Sequence, residues 1–101
     1  MSLEAAFLFL APEADYATDR HTIQTAEVNL TTVGVKDYTD AVKAVKQLET
    51  EGIAAIELCG GFGIEGVALI KKAVSPTIAI GVVRFDSHPG LANQSGDQLF
   101  Q

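Results

Sequence analysis

Between residues 27 and 85 the chain alternates twice between β-branched apolar runs and stretches of helical periodicity, and this alternation limits the folds open to it. "EVNLTTVGV" (27–35), "IAAIEL" (53–58) and "TIAIGVVRF" (77–85) read as strands. Between the first two, Asp37 offers a helix N-cap. Tyr38, Ala41, Val42, Val45 and Leu48 then lie on one helical face, and Gly52 stops the helix. Residues 64–74 read as a second helix, with Val67, Ile70 and Val74 on one face and Ser75-Pro76 at its end. "AAFLFLA" (5–11) is a further strand, so uniformly apolar that it is expected to be buried on both faces. The stretch from Pro12 to Ala26 fits a crossover connection with a short helix around Tyr16 to Gln24 and Ile23 turned inward.

Strands that alternate with helices form an open, mostly parallel sheet. The expectation is a single α/β domain over residues 1–101. It is a three-layer sandwich with a four-stranded, mostly parallel sheet in the order 2-1-3-4, like half of a Rossmann-like or flavodoxin-like fold. Residues 86–101 form a turn-rich tail. A length of 101 residues fits one core, and 48% hydrophobic with 20% charged residues is a globular balance. No apolar run approaches the roughly 20 residues that span a bilayer. "AAFLFLAP" lacks the basic flank of a secretory signal, so no membrane role is expected. Seven Lys and Arg against thirteen Asp and Glu give a formal charge of −6, which argues against nucleic acid. The single Cys59 cannot form an internal disulfide, and a reducing cytoplasm is the simplest compartment.

In such a fold, ligands bind beyond the carboxyl ends of the strands. Two of those ends carry unusual chemistry. In "ELCGGFGIEG", Gly61-x-Gly63-x-x-Gly66 follows a strand and opens a helix, with Asp86 twenty residues further on. This spacing admits three readings. One is nucleotide or dinucleotide binding, opposed by Glu65 at the helix start and by the missing second half of such a fold. Another is a smaller site in which the amides of Gly60, Gly61, Phe62 and Gly63 hold a phosphate or carboxylate. The third is purely structural, the glycines turning the chain and letting the helix pack closely.

Cys59, at a strand end before a helix start, is a candidate nucleophile or acid/base group, or else an inert buried thiol. Asp86 and His88 are candidates for proton transfer, or for a cap and turn beside Pro89-Gly90. His21 is a possible further ligand, but two histidines without compact spacing give no metal site. Glu57 shares a strand face with Ala55 and Cys59, and a carboxylate inside a covered sheet needs a partner. Arg84 is the expected one, in a structural ion pair or as a guanidinium that Glu57 orients toward a bound anion.

"FLFLAPEAD", "TTVGVKDYTDAV", "AIELCGGFGIEGVALIKKAV" and "IGVVRFDSHPG…SGDQLF" together resemble a family of small bacterial and archaeal proteins of about 100 residues with no established activity. The resemblance covers nearly the whole chain and implies a single small domain. "IELCGGFG…IKKAV…IGVVR" also looks like one strand–helix–strand unit of the copper-homeostasis barrel proteins. The chain is too short for eight such units, so that likeness is one of local physics.

Two function classes follow. One is a binding protein or enzyme for a small anionic metabolite, held through Gly60, Gly61, Phe62, Gly63 and Arg84, with Cys59, Asp86 and His88 for chemistry. The cofactor is unspecified and no metal is expected. The other is a non-catalytic oligomeric domain with a structural or regulatory role. Exposed sheet edges and the apolar pair Leu99-Phe100, read as a hook for a neighbouring subunit, point to a homo-oligomer, a dimer by preference.

Overall fold

The first strand shows why the sheet has one covered face. In the computed structural model, which describes residues 2–101, β1 runs over Leu3–Leu10. Ala6 and Leu8 are fully buried, whereas the intervening Ala5, Phe7 and Phe9 are only half-buried. Strand side chains alternate between faces, so one face of β1 meets the core and the other does not. The same division continues through β3 (Val28–Val35), where Thr31, Val33 and Val35 are buried, and β4 (Ala55–Leu58), where Ile56 and Leu58 are. β1 is therefore not buried on both sides as its composition suggests.

The strand order is β2-β3-β1-β4-β5, with β2 spanning Arg20–Gln24 and β5 spanning Ala79–Val82. The four strands expected from the sequence are parallel and stand in the expected relative order. The fifth, β2, pairs antiparallel with β3, so the sheet is mixed and five-stranded rather than four-stranded. β2 occupies the segment expected to hold a short helix. Arg20, Thr22 and Gln24 alternate with His21 and Ile23, and no 3.6-residue apolar repeat competes with that pairing. Thr22 and Thr31 share a hydroxyl hydrogen bond of 2.8 Å, and both Arg20 guanidinium nitrogens that bond do so to Glu51, at 2.7 and 3.2 Å. Arg20 holds the Glu51 carboxyl below its ordinary range.

Helix α1 (Tyr38–Thr50) begins at Asp37, whose carboxylate accepts the amide of Asp40 at 2.9 Å, as expected of a cap. The chain turns out of it at Gly52, where φ is +92°, a conformation that favours glycine. α2 (Ile64–Ala73) follows β4. The connections β3–α1–β4 and β4–α2–β5 step across the sheet in the same direction, and α1 contacts α2. Right-handed crossovers therefore place both helices on one face. Because the β1-to-β3 connection carries β2 instead of a helix, the architecture has two layers, not the three of a sandwich. Among the described residues no helix is long and apolar enough to cross a membrane.

Candidate functional site: the start of the second helix and the C-terminal tail

α2 starts at Gly63 with no side-chain cap from its own first turn. The first amides of a helix have no intrahelical acceptor. Here they find one far along the chain, in a 3-10 turn over Gly96–Gln98. The Asp97 carboxylate accepts the amide of Glu65 at 3.1 Å on one oxygen and the amide of Gly66 at 3.1 Å on the other. The oxygen facing Gly66 also accepts the Tyr38 hydroxyl at 2.9 Å, and that hydroxyl in turn accepts the amide of Gly63 at 3.0 Å. A carboxylate at a helix N-terminus is further favoured by the helix dipole.

The glycines make this junction possible by close approach. A Cβ on Gly63 would lie 2.2 Å from the Asp97 carboxyl carbon, and one on Gly66 2.4 Å from the Tyr38 ring. A Cβ on Gly96 would meet the Gly61 carbonyl oxygen at 1.5 Å, and one on Gly60 would meet the Phe85 ring at 1.9 Å. Gly61 is less confined, its nearest neighbours standing at 3.3 Å. Phe100 then packs over Tyr38, with ring centroids 6.3 Å apart, while Tyr38 stacks on Phe62 at 5.5 Å. The expected hook thus divides: Phe100 folds back on its own subunit, and Leu99 is left exposed.

Tyr38 is held neutral by this setting. Burial pushes its pKa up to about 12; the Gly63 amide works against that shift, and the Asp97 carboxylate adds to it. The folded protein therefore retains a proton that the unfolded chain gives up near pH 10. Stability from this source is complete below about pH 10 and declines between about pH 10 and 12. In a Tyr16→Phe variant, where Tyr38 is the sole tyrosine, ultraviolet titration of the folded protein is expected to give a midpoint near 12. A midpoint near 10 in the folded state would mean that the hydroxyl is not enclosed.

The other candidate residues fall into separate settings. Cys59 is half-buried, and its Sγ accepts the amides of Leu10 at 3.4 Å and Gly61 at 3.3 Å. Arg84 donates its Nε to Asp86 at 2.8 Å, with both side chains largely exposed. It is not paired with Glu57, which is exposed and lies across Gly81 on the uncovered face. The expected ion pair assumed a sheet covered on both sides, and the uncovered face removes the need for it. His88 Nδ1 accepts the Gly90 amide at 3.0 Å, its ring lies 4.7 Å from Phe85, and no hydrogen bond joins it to Asp86 among the described residues. No group of three His, Cys, Asp or Glu side chains there is placed to hold a metal ion.

Beside the tail junction, a cleft of about 420 Å³ opens between the start of α2 and the end of β5. Phe62, Ile64, Val67 and Val82 form its apolar walls, and Arg84, Asp86 and Asp97 its polar rim. Of the residues singled out in the sequence, Phe62, Gly63, Arg84 and Asp86 meet there, whereas Cys59, Gly60, Gly61, Glu57 and His88 do not line it. Tyr38 and Asp97 were not singled out. Their only signal in sequence is the cluster of glycines, Gly63, Gly66 and Gly96, at which they approach the backbone.

Fold and site together define a small single-sheet α/β domain whose C-terminal tail caps its own second helix beside an apolar cleft. The chain belongs to the family of unknown function DUF6506, which matches residues 3–98. No curated protein and no solved structure matches it.

Proposed function

We propose that this domain binds a small anionic metabolite, bearing a carboxylate or phosphate on an apolar body, in the cleft between α2 and β5. The observation that supports this is the pairing of an apolar wall with one guanidinium at the carboxyl end of a parallel strand. A volume of about 420 Å³ suits a metabolite-sized ligand. Among the described residues Arg84 is tied to the exposed Asp86 alone, and an incoming anion can exchange for that weak surface partner. The helix amides are not the seat of the anion, because Asp97 already fills them. The same occupancy weighs against a dinucleotide, whose pyrophosphate would need that position. In an enzymatic version Cys59 supplies the nucleophile and Asp86 with His88 the proton transfer, which requires His88 to leave Gly90 and the ligand to extend from the cleft to Cys59 and His88, neither of which lines it. A reducing cytoplasm is the compartment this thiol suits.

The test is amide-resolved NMR with butyrate and phenyl phosphate, against butyramide and phenol as neutral counterparts. The two anions are expected to shift the resonances of Ile64, Val82 and Arg84, and Arg84→Gln to weaken binding about tenfold. Equal response to the neutral compounds, or indifference to Arg84→Gln, would refute the assignment.

A second reading, self-association as a homodimer, is favoured by the sheet face that no helix covers. Leu3, Ile23 and Val28 stand exposed on that face.

A further inference from the structure

The uncovered face has a pattern of its own. Because Ala6, Leu8, Thr31, Val33, Ile56 and Leu58 point to the helices, their strand neighbours point the other way. The strand register arranges those neighbours in rows across the sheet; the row of Gly34 and Phe9 is overlain by Ala14 of the same chain, and three rows lie open. One row reads His21, Thr32, Phe7, Glu57. The next reads Ile23, Leu30, Ala5, Ala55. The third is the pair Val28, Leu3. His21 stands on the edge strand of the first row and Glu57 on its fourth strand, and apolar bulk lies at one end of the second. In the second row the two large side chains stand on β2 and β3 and the two small ones on β1 and β4.

We infer that this face is the interface with a second copy of the chain, the two sheets stacking face to face about a two-fold axis that runs along the strands between β3 and β1. Resting on the self-association reading, the inference specifies the surface and the alignment of the copies. Such an axis reverses every row onto itself. His21 then faces Glu57 of the second copy, so a histidine ring and a carboxylate that have no ion-pair or hydrogen-bond partner among the described residues gain one. Ile23 faces the second copy's Ala55 and Leu30 its Ala5, so large side chains meet small ones. Thr32 faces Phe7, and Val28 faces Leu3.

One axis satisfies all three rows, which is the self-complementarity a two-fold interface requires. Stacked sheets sit about 10 Å apart, a gap that interdigitating side chains from both faces fill. With strands about 4.8 Å apart and a rise of about 3.3 Å per residue, the four matched strands and three rows span roughly 19 by 20 Å. The cleft between α2 and β5 stays outside this interface, because β5 lies beyond the four matched strands.

Sedimentation equilibrium of the full chain and three surface variants tests the inference, with far-UV circular dichroism confirming that each variant is folded. The wild type is expected to be a dimer at micromolar concentration. Ile23→Glu, at an exposed edge-strand position, is expected to raise the dissociation constant about a hundredfold. His21→Glu places like charges opposite each other and is expected to weaken the dimer about tenfold, with Glu57→Lys in the same chain restoring it. A wild-type monomer would overturn self-association itself. A dimer indifferent to Ile23→Glu would overturn this surface alone, and failure of Glu57→Lys to restore His21→Glu would overturn the axis.

Discussion

Replacing Gly96 by alanine is expected to dislodge the C-terminal tail and lower stability by about 2 kcal/mol or more. The reason is steric and local. A methyl group there would sit 1.5 Å from the Gly61 carbonyl oxygen and 2.6 Å from its carbon, and both are backbone atoms of a loop between β4 and α2. A flexible side chain could swing aside, but this loop cannot move without disturbing the strand and helix it joins. The 3-10 turn must therefore withdraw, taking Asp97 from the helix amides and Phe100 from Tyr38. Urea unfolding of wild type and variant measures the loss. Unchanged stability would mean that the tail contributes nothing to the fold.

The second large effect is expected at Asp97. Its removal in Asp97→Ala deprives three donors at once, the amides of Glu65 and Gly66 and the Tyr38 hydroxyl. Loss of a side-chain cap costs about 1 kcal/mol, and a polar group left without a partner costs about 1–3 kcal/mol. The expected total is about 1–3 kcal/mol, because Tyr38 is buried whereas Glu65 can turn its amide to water. Asp97→Asn retains one acceptor oxygen and is expected to lose less. The two variants also separate cap from bulk, since asparagine fills the same space without the charge that favours the helix N-terminus. Equal losses from both substitutions would show that the oxygen and bulk asparagine retains contribute nothing; no loss from Asp97→Asn would show that the charge plays no part.

The order of the four parallel strands was legible because each is a continuous run of apolar or β-branched residues bounded by turn formers. The helices between the later strands declare themselves by the spacing of Tyr38, Ala41, Val45 and Leu48. β2 was hidden for a physical reason. Its five residues are mostly polar, its pairing with β3 is set by long-range register, and its Arg20 gains a partner only when Glu51 arrives at the end of α1. Missing β2 also concealed the uncovered face, and with it the true setting of Glu57. The carboxylate looked buried because the sheet was expected to be covered on both sides.

At the site, the glycine cluster was visible but its purpose was not. Gly63 and Gly66 fit the spacing of a nucleotide loop, yet the space in front of them is taken by Asp97 and Tyr38 of the same chain. That substitution is invisible to local pattern, since Tyr38 and Asp97 are 59 residues apart. Arg84 and Asp86 were singled out from their place beyond a strand end, and both line the cleft. Their proximity to each other, rather than to Glu57 and His88, follows from exposure. Outside the covered sheet, Arg84 bonds the nearest carboxylate along the chain.

Amide hydrogen exchange at Glu65 and Gly66 reads out whether the tail caps the second helix. First-turn amides ordinarily exchange quickly, because no residue of their own helix accepts from them. Here both are expected to be protected in the wild type, and Asp97→Ala is expected to abolish that protection while leaving Ile70, deeper in the helix, protected. Rapid exchange of Glu65 and Gly66 in the wild type, or equal protection with and without the Asp97 carboxylate, would contradict the account.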